Sequence, residues 1–409
     1  MTYKPNSNLA ARAGRWSAQH RRKAILGWLA FVVAAVAIGG AIGTNTLKVY
    51  ELGTGESGRA DRVLHDAGLT DAVTESVLVT APKGATVTSP QVRAAIDDVT
   101  ARTDHLEQVS AVRDPVISKD KRSALIGLQL ATDVEHASDA VEPVARAVAA
   151  AGDAHPSVRL EQTGDGSIAK AFDETLEEDF KRAEMYSIPI TFAVLFFAFG
   201  ALVAAGIPLL LGLSAVAAAL GLLAIPSQAV AIEEGSASVI LLIGLAVGVD
   251  YALFYLRRER EERAAGRAAD AALQAAAATS GRAVLISGFT VMASVAGLFV
   301  AGSKWYTSYA IGIILVVAIA MVGSVTVLPA LLSKLGDNVD RGRIPFLRRR
   351  AARAPRDSRL WNAILRPVLG KPLASALAAG AILLALAFPV LDLKLSEAGM
   401  GSLPQNLPA

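Results

Sequence analysis

The chain has 409 residues, of which 53% are apolar and only 19% charged, with a mean hydropathy of +0.43. That balance excludes an ordinary soluble enzyme of this size and places the apolar surplus in lipid. Cysteine is absent, the five histidines are scattered without metal-ligand spacing, and the net charge of +3 says little because the charges are sorted by compartment.

Taken in order, residues 1–23 form a basic N-terminus ending in Arg21, Arg22 and Lys23, and a first apolar span covers 24–42. Its length exceeds the apolar core of a signal peptide, and six more spans follow, so it reads as an uncleaved anchor. Spans two and three lie back to back from 186 to 225 and turn near 200–206. Span four covers 236–256, span five 283–302, span six 308–332 and span seven 373–391. Each is close to the roughly 20 helical residues that cross a hydrocarbon core about 30 Å thick.

Basic residues near span ends resist translocation. The segments before span one, between spans four and five and between spans six and seven carry 6, 6 and 11 Lys/Arg, all on one side of a seven-span arrangement. That side is expected to be the cytoplasm of a bacterial inner-membrane protein. Segment 43–185 carries 15 Lys/Arg against 25 Asp/Glu and is expected outside. The Arg-rich linker 333–372 lies between two spans, which favours anionic headgroups over nucleic acid as its partner.

The outside segment reads as a compact α/β domain. A strand at 76–80 is followed by a helix that Ser89 caps, with Pro90 at its first position. Strands at 109–112 and 124–130, a helix over 138–150 and a strand at 158–161 complete a β-α-β-β-α-β order, the ferredoxin-like pattern. A helix over 166–185, acidic at Asp173, Glu174, Glu177, Glu178 and Asp179, is expected to run into span two, its carboxylates forming a solvated face. The charge run that opens at Arg257, followed by an Ala-rich stretch to 281, is expected to be a cytoplasmic helix with a solvated charged face.

Leu47–Gly55 (LKVYELGTG) and 393–401 (LKLSEAGMG) match at Leu, Lys, Glu and both glycines, and each follows an apolar span. The offset of 346 residues also maps span one onto span seven and brings Trp16 beside Trp361. This marks a tandem repeat whose second copy has only begun at 392–409. Two full copies would take roughly 690 residues. The chain is therefore expected to be a fragment, a truncated gene product or a split half that requires a second repeat or complementary subunit. A homo-oligomer is compatible with the same pattern.

Span four contains Gly244, Gly248, Asp250 and Tyr251. At 1.5 Å per residue, Asp250 lies about 22 Å from the outer end, inside the hydrocarbon region. An ionised Asp there costs about 2.5–3.5 kcal/mol, so it either serves an ion pathway or is compensated structurally by a bend or a neighbouring helix. Tyr251 is placed to donate a hydrogen bond to a carboxylate or simply to pack. Gly244 and Gly248, four residues apart, allow close helix packing. On span five Ser287, Thr290 and Ser294 share one face, where such hydroxyls commonly bond their own backbone. No nucleophile with a base, metal cluster or cofactor motif is present, so neither enzymatic activity nor a cofactor is expected.

The span-one anchor, the outside α/β domain, the five-span block, GLAVGVDYALF on span four and SGRAVLISGFTV opening span five together resemble the MMPL branch of the resistance-nodulation-division (RND) transporters. The likeness covers essentially the whole chain. It implies a two-repeat exporter of lipids, lipid-like precursors or hydrophobic metabolites and drugs, driven by proton antiport. It further implies that Asp250 binds the proton, that Tyr251 is its hydrogen-bond partner and that Ser287 is a nearby polar contact. Two other readings are an RND-type accessory of protein secretion and a non-transporting membrane scaffold.

Overall fold

A computed structural model describes residues 8–69, 72–233, 235–342 and 359–392. They fall into two units, one reaching from the N-terminus to Gly342 and the other from Arg343 to Pro408. Among the described residues seven helices are long and apolar enough to cross a membrane, as the apolar runs predict.

Before the first span, α1 (Leu9–Gln19) is a short helix of its own, where the sequence suggested only a basic tail. The Asn8 side chain accepts from Ala11 N at 2.8 Å, capping α1, and donates to Ala278 O at 2.8 Å. Span one is α2 (Arg21–Ile42), whose buried residues are Ala24 and Ala35. A further helix that apolar patterning did not reveal, α3 (Gly55–Asp66), follows the span.

The α/β part contains β1 (Thr74–Thr80), α4 (Pro90–Asp104), β2 (Val109–Val112), β3 (Val116–Ile117), β4 (Ser123–Leu130), α5 (Ala137–Ala154) and β5 (Arg159–Gly164). Its sheet runs β2-β4-β1-β5, with β3 paired to β4, and every pairing is antiparallel. Strand side chains alternate between faces, so Val77 and Val79 point at the buried faces of α4 and α5, where Val92, Val99, Val141 and Val144 close the core. Ser89 occupies the N-cap position of α4, but its hydroxyl accepts from Thr86 N at 3.1 Å instead of capping the helix. The turn before the helix takes up the oxygen that the capping prediction assigned to the first helical turn.

Glu75 shares the inward face of β1 with Val77 and Val79 and is fully buried. Its carboxylate accepts from Ser167 N at 2.8 Å, Ser167 Oγ at 2.6 Å and Gln162 Nε2 at 3.0 Å. Three donors offset the cost of burying the charge, and the two from Ser167 bind the sheet to the first turn of α6. That helix, α6 (Asp165–Phe199), runs without a break from the α/β part into span two. Its Asp173, Glu174, Glu178 and Asp179 are exposed.

Gly200, at φ 64°, ends α6 in the left-handed conformation, and α7 (Leu202–Ser227) begins two residues later. The turn is thus tighter than the 200–206 expected. The bundle continues with α8 (Ser236–Ala264), α9 (Ala269–Ala296) and α10 (Lys304–Leu335). There is no separate cytoplasmic helix between α8 and α9. The charge run is the last part of α8, the chain turns at Gly266 (φ 85°), and the Ala-rich stretch is the start of α9.

The solvated-face expectation for that run holds only in part: Arg257 and Glu261 are exposed, but Glu259 and Glu262 are buried. Arg263 pairs with Glu259, while Arg258 at 2.5 Å and Arg267 at 3.0 Å pair with Glu262. Arg260 lies over the Phe199 ring at 5.1 Å and donates to Phe199 O at 3.0 Å. Buried acids are tolerated when paired in this way.

In the second unit, α11 (Arg359–Gly370) precedes α12 (Pro372–Ala387), the core of span seven. The linker 333–372 therefore contains a helix at its end. The second copy of the repeat signature, 393–401, and residues 343–358 of the Arg-rich linker lie outside the described residues.

Candidate functional site in the membrane bundle

Helix α8 packs against α7, α9 and α10, and its glycines account for how closely. A Cβ at Gly244 would stand 2.4 Å from Val316 Cγ2 and 2.7 Å from Val216 Cγ2. One at Gly248 would stand 2.9 Å from the Gly212 Cα. Any side chain at either position would push α7 or α10 away.

This packing buries one face of α8 and leaves another open. Leu242, Ala246, Asp250 and Phe254, spaced four apart, form an exposed stripe. Asp250 is the fifteenth residue of the helix, and among the described residues no hydrogen bond or ion pair reaches its carboxylate. A lone carboxylate in an apolar stripe is unfavourable against hydrocarbon. Its cost is removed by protonation, by water or by a polar surface packed over the stripe.

The next residue points inward. Tyr251 is only 5% exposed and packs with Ala10, Val284, Met321 and Val325. Among the described residues its hydroxyl makes no hydrogen bond of good geometry, and it lies against Gly288 of α9, 3.4 Å from where a Cβ would sit. Ser287 on α9 is within weak hydrogen-bonding reach of it, and Asp250 acts on it through charge. Ser287 is itself exposed, as is Asp250. The three residues named from the sequence thus cluster at the α8–α9 contact, with Tyr251 inside and the other two at the open face. Thr290 is on the same helix and donates to Ile286 O at 2.8 Å, the backbone bond that a membrane hydroxyl commonly makes.

Contributors that sequence patterning missed are Gly288, whose missing side chain makes room for Met321, whose Sδ would be 2.7 Å from a Cβ there, and Met321 itself, which packs with Tyr251. The available signal was the glycine directly after Ser287. A second omission concerns the helix ends nearest the α/β part. Leu47 N donates to Ile232 O at 2.9 Å, Ile232 N donates to Asn45 O at 2.8 Å, and Lys304 Nζ donates to Glu51 Oε1 at 2.6 Å. The first copy of the repeat signature therefore joins the end of α2 to the α7–α8 connection and the start of α10.

Residues 55–375 match the model of the MMPL family. The chain belongs to the MMPL family. Among curated MMPL relatives it is 34% identical over 330 residues to the "Mycolic acid-containing lipids exporter MmpL11" of Mycolicibacterium smegmatis, covering 76% of this chain and 34% of that protein. It is 32% identical over 324 residues to the "Heme uptake protein MmpL11" of Mycobacterium tuberculosis, covering 76% and 33%. The chain thus spans about a third of the length of these relatives. Among solved structures, the hedgehog release protein Disp from the water bear Hypsibius dujardini is similar with a TM-score of 0.53 at 14% identity, over 80% of this chain and 49% of that one. At that identity the likeness is one of fold.

Proposed function

We propose that this MMPL chain is the first repeat of a proton-driven exporter of lipids, lipid-like precursors or other hydrophobic molecules. Asp250 carries the reading: an uncompensated carboxylate midway along an apolar helix, beside a buried tyrosine hydroxyl. A carboxylate facing hydrocarbon is costly, so water or a polar partner must reach it, and that access governs proton exchange. Each proton moved inward across 100 mV supplies about 2.3 kcal/mol. Tyr251 and Ser287 line the path by which Asp250 exchanges that proton.

In this account residues 1–23 and 333–372 are cytoplasmic and 43–185 form an extracytoplasmic, ferredoxin-like porter domain. The continuous helix α6 carries motion between porter domain and bundle. The exposed stripe of α8 is covered by the second repeat, which brings a further polar group to Asp250. A lipid cargo agrees with the name of the M. smegmatis relative, and the haem-uptake name of another makes haem the competing cargo.

The test uses the source cells with the gene deleted and restored. Native protein is expected to return the exported lipids to the outer envelope, whereas Asp250→Asn, inserted at equal level, returns none. Restored lipid export by Asp250→Asn would overturn the proposal. Restored haem uptake with no change in exported lipids would replace the cargo.

A further inference from the structure

Away from Asp250, α2 and α10 enclose an open groove of about 490 Å³, within the roughly 300–1,000 Å³ range of small-molecule sites. Its walls are apolar along most of their length, including Gly27, Phe31 and Val322, and one end carries Lys23 and Trp16. The few polar atoms along the walls are already used. Trp28 Nε1 donates to Ser214 Oγ at 3.0 Å, and Thr326 Oγ1 donates to Val322 O at 2.6 Å. The Trp28 ring lies on Gly323, where a Cβ would come within 2.9 Å of it, so the floor of the groove is fixed. Gly27 opens onto space, with nothing within 4 Å of a Cβ built there. Lys23 is exposed and pairs with no carboxylate among the described residues.

An apolar trough on the outer surface of two membrane helices, ending in an unpaired ammonium beside an indole, has the polarity of a phospholipid. We propose that the groove holds one acyl chain of an anionic phospholipid from the leaflet on the Lys23 side, with Lys23 at the lipid phosphate. Trp16, half exposed and stacked on His20 with ring centroids 5.3 Å apart, stands at the headgroup level where indoles concentrate. The charge selects the anionic headgroup and the groove holds the chain. This inference rests on α2 and α10 spanning the membrane and is independent of proton coupling at Asp250.

The test reconstitutes the full chain in vesicles containing phosphatidylglycerol with a photoactivatable diazirine on one acyl chain, or phosphatidylcholine with the same chain. Cross-linked peptides are then mapped by mass spectrometry. Label is expected on the α2 and α10 peptides around Gly27 and Val322, favouring phosphatidylglycerol about fivefold, the worth of one lysine at an anionic surface. Lys23→Gln should abolish the preference. Gly27→Phe, which fills the trough, should cut groove labelling severalfold while label elsewhere on the protein stays constant. Equal labelling by both lipids in the native chain, or undiminished labelling in Gly27→Phe, would overturn the proposal. So would cross-links between these peptides and another polypeptide in place of lipid.

Discussion

Asp250 and Tyr251 are consecutive on α8 and lie on opposite sides of the boundary of the bundle: the carboxylate is exposed and the phenol is buried against Gly288. Successive helical residues point about 100° apart, so one edge of the helix presents a proton acceptor outward and a hydroxyl inward.

Tyr251→Phe separates packing from chemistry at this site. The ring contacts remain, and the hydroxyl removed is buried with no well-formed hydrogen bond among the described residues, only a weak contact to Ser287, so thermal stability should change by no more than about 1 kcal/mol. Export should nevertheless fall if that hydroxyl serves proton exchange. Unchanged export at unchanged stability would make Tyr251 a packing residue.

Gly248→Leu tests the close approach of α8 to α7. The Cβ alone would meet the Gly212 Cα at 2.9 Å, and overpacking of this kind costs about 1–3 kcal/mol. The detergent-solubilised protein should melt earlier by a corresponding amount. Gly297→Ala, where a Cβ meets nothing within 4 Å, should melt like the native protein.

The Glu51–Lys304 pair should make this tie sensitive to acid. Partial burial pushes the Glu51 carboxyl up, but the Lys304 ammonium and the Lys48 N–H together hold it below its ordinary 4.5. A depressed carboxyl pKa stabilises the fold above the unfolded value and loses that contribution as pH falls through the folded one. Protection factors at 45–52, taken relative to intrinsic exchange at each pH, should therefore stay high at neutral pH and fall below about 4.5. Glu51→Gln should exchange faster at neutral pH and lose most of that acid dependence.

Topology can be read by single-cysteine labelling, since the native chain has none. Lys83→Cys should react with a membrane-impermeant maleimide added to intact cells, and Arg257→Cys should react only after lysis. Arg257 suits the inner position because its side chain is 76% exposed, whereas Arg263 is held against buried Glu259. The reverse pattern would invert the orientation.

The spans were legible in the sequence because about 20 apolar residues in a row fit little besides a membrane crossing, and the strands because Val77, Val79, Ile126 and Leu128 alternate with more exposed neighbours. Asp250 stood out for the same reason that it is costly. What stayed hidden depends on contacts distant in sequence. Docking of α1 relies on small residues, Ala10 fitting beside Gly281 and Gly14 beside Ala277, and such contacts leave no period in a short helix. Burial of Glu259 and Glu262 could not be foreseen from a charge run, since arginines one turn away look the same in a solvated helix. The groove at Lys23 joins α2 to a helix almost 300 residues later in the chain, beyond any local pattern.

The central claim is that Asp250 carries protons. Its most direct test measures proton movement into vesicles containing the complete transporter, using a trapped pH indicator and an imposed potential, for native protein and Asp250→Asn inserted in equal amounts. Protons are expected to move through the native protein and not above the empty-vesicle leak through Asp250→Asn. Equal proton movement through both would contradict the claim.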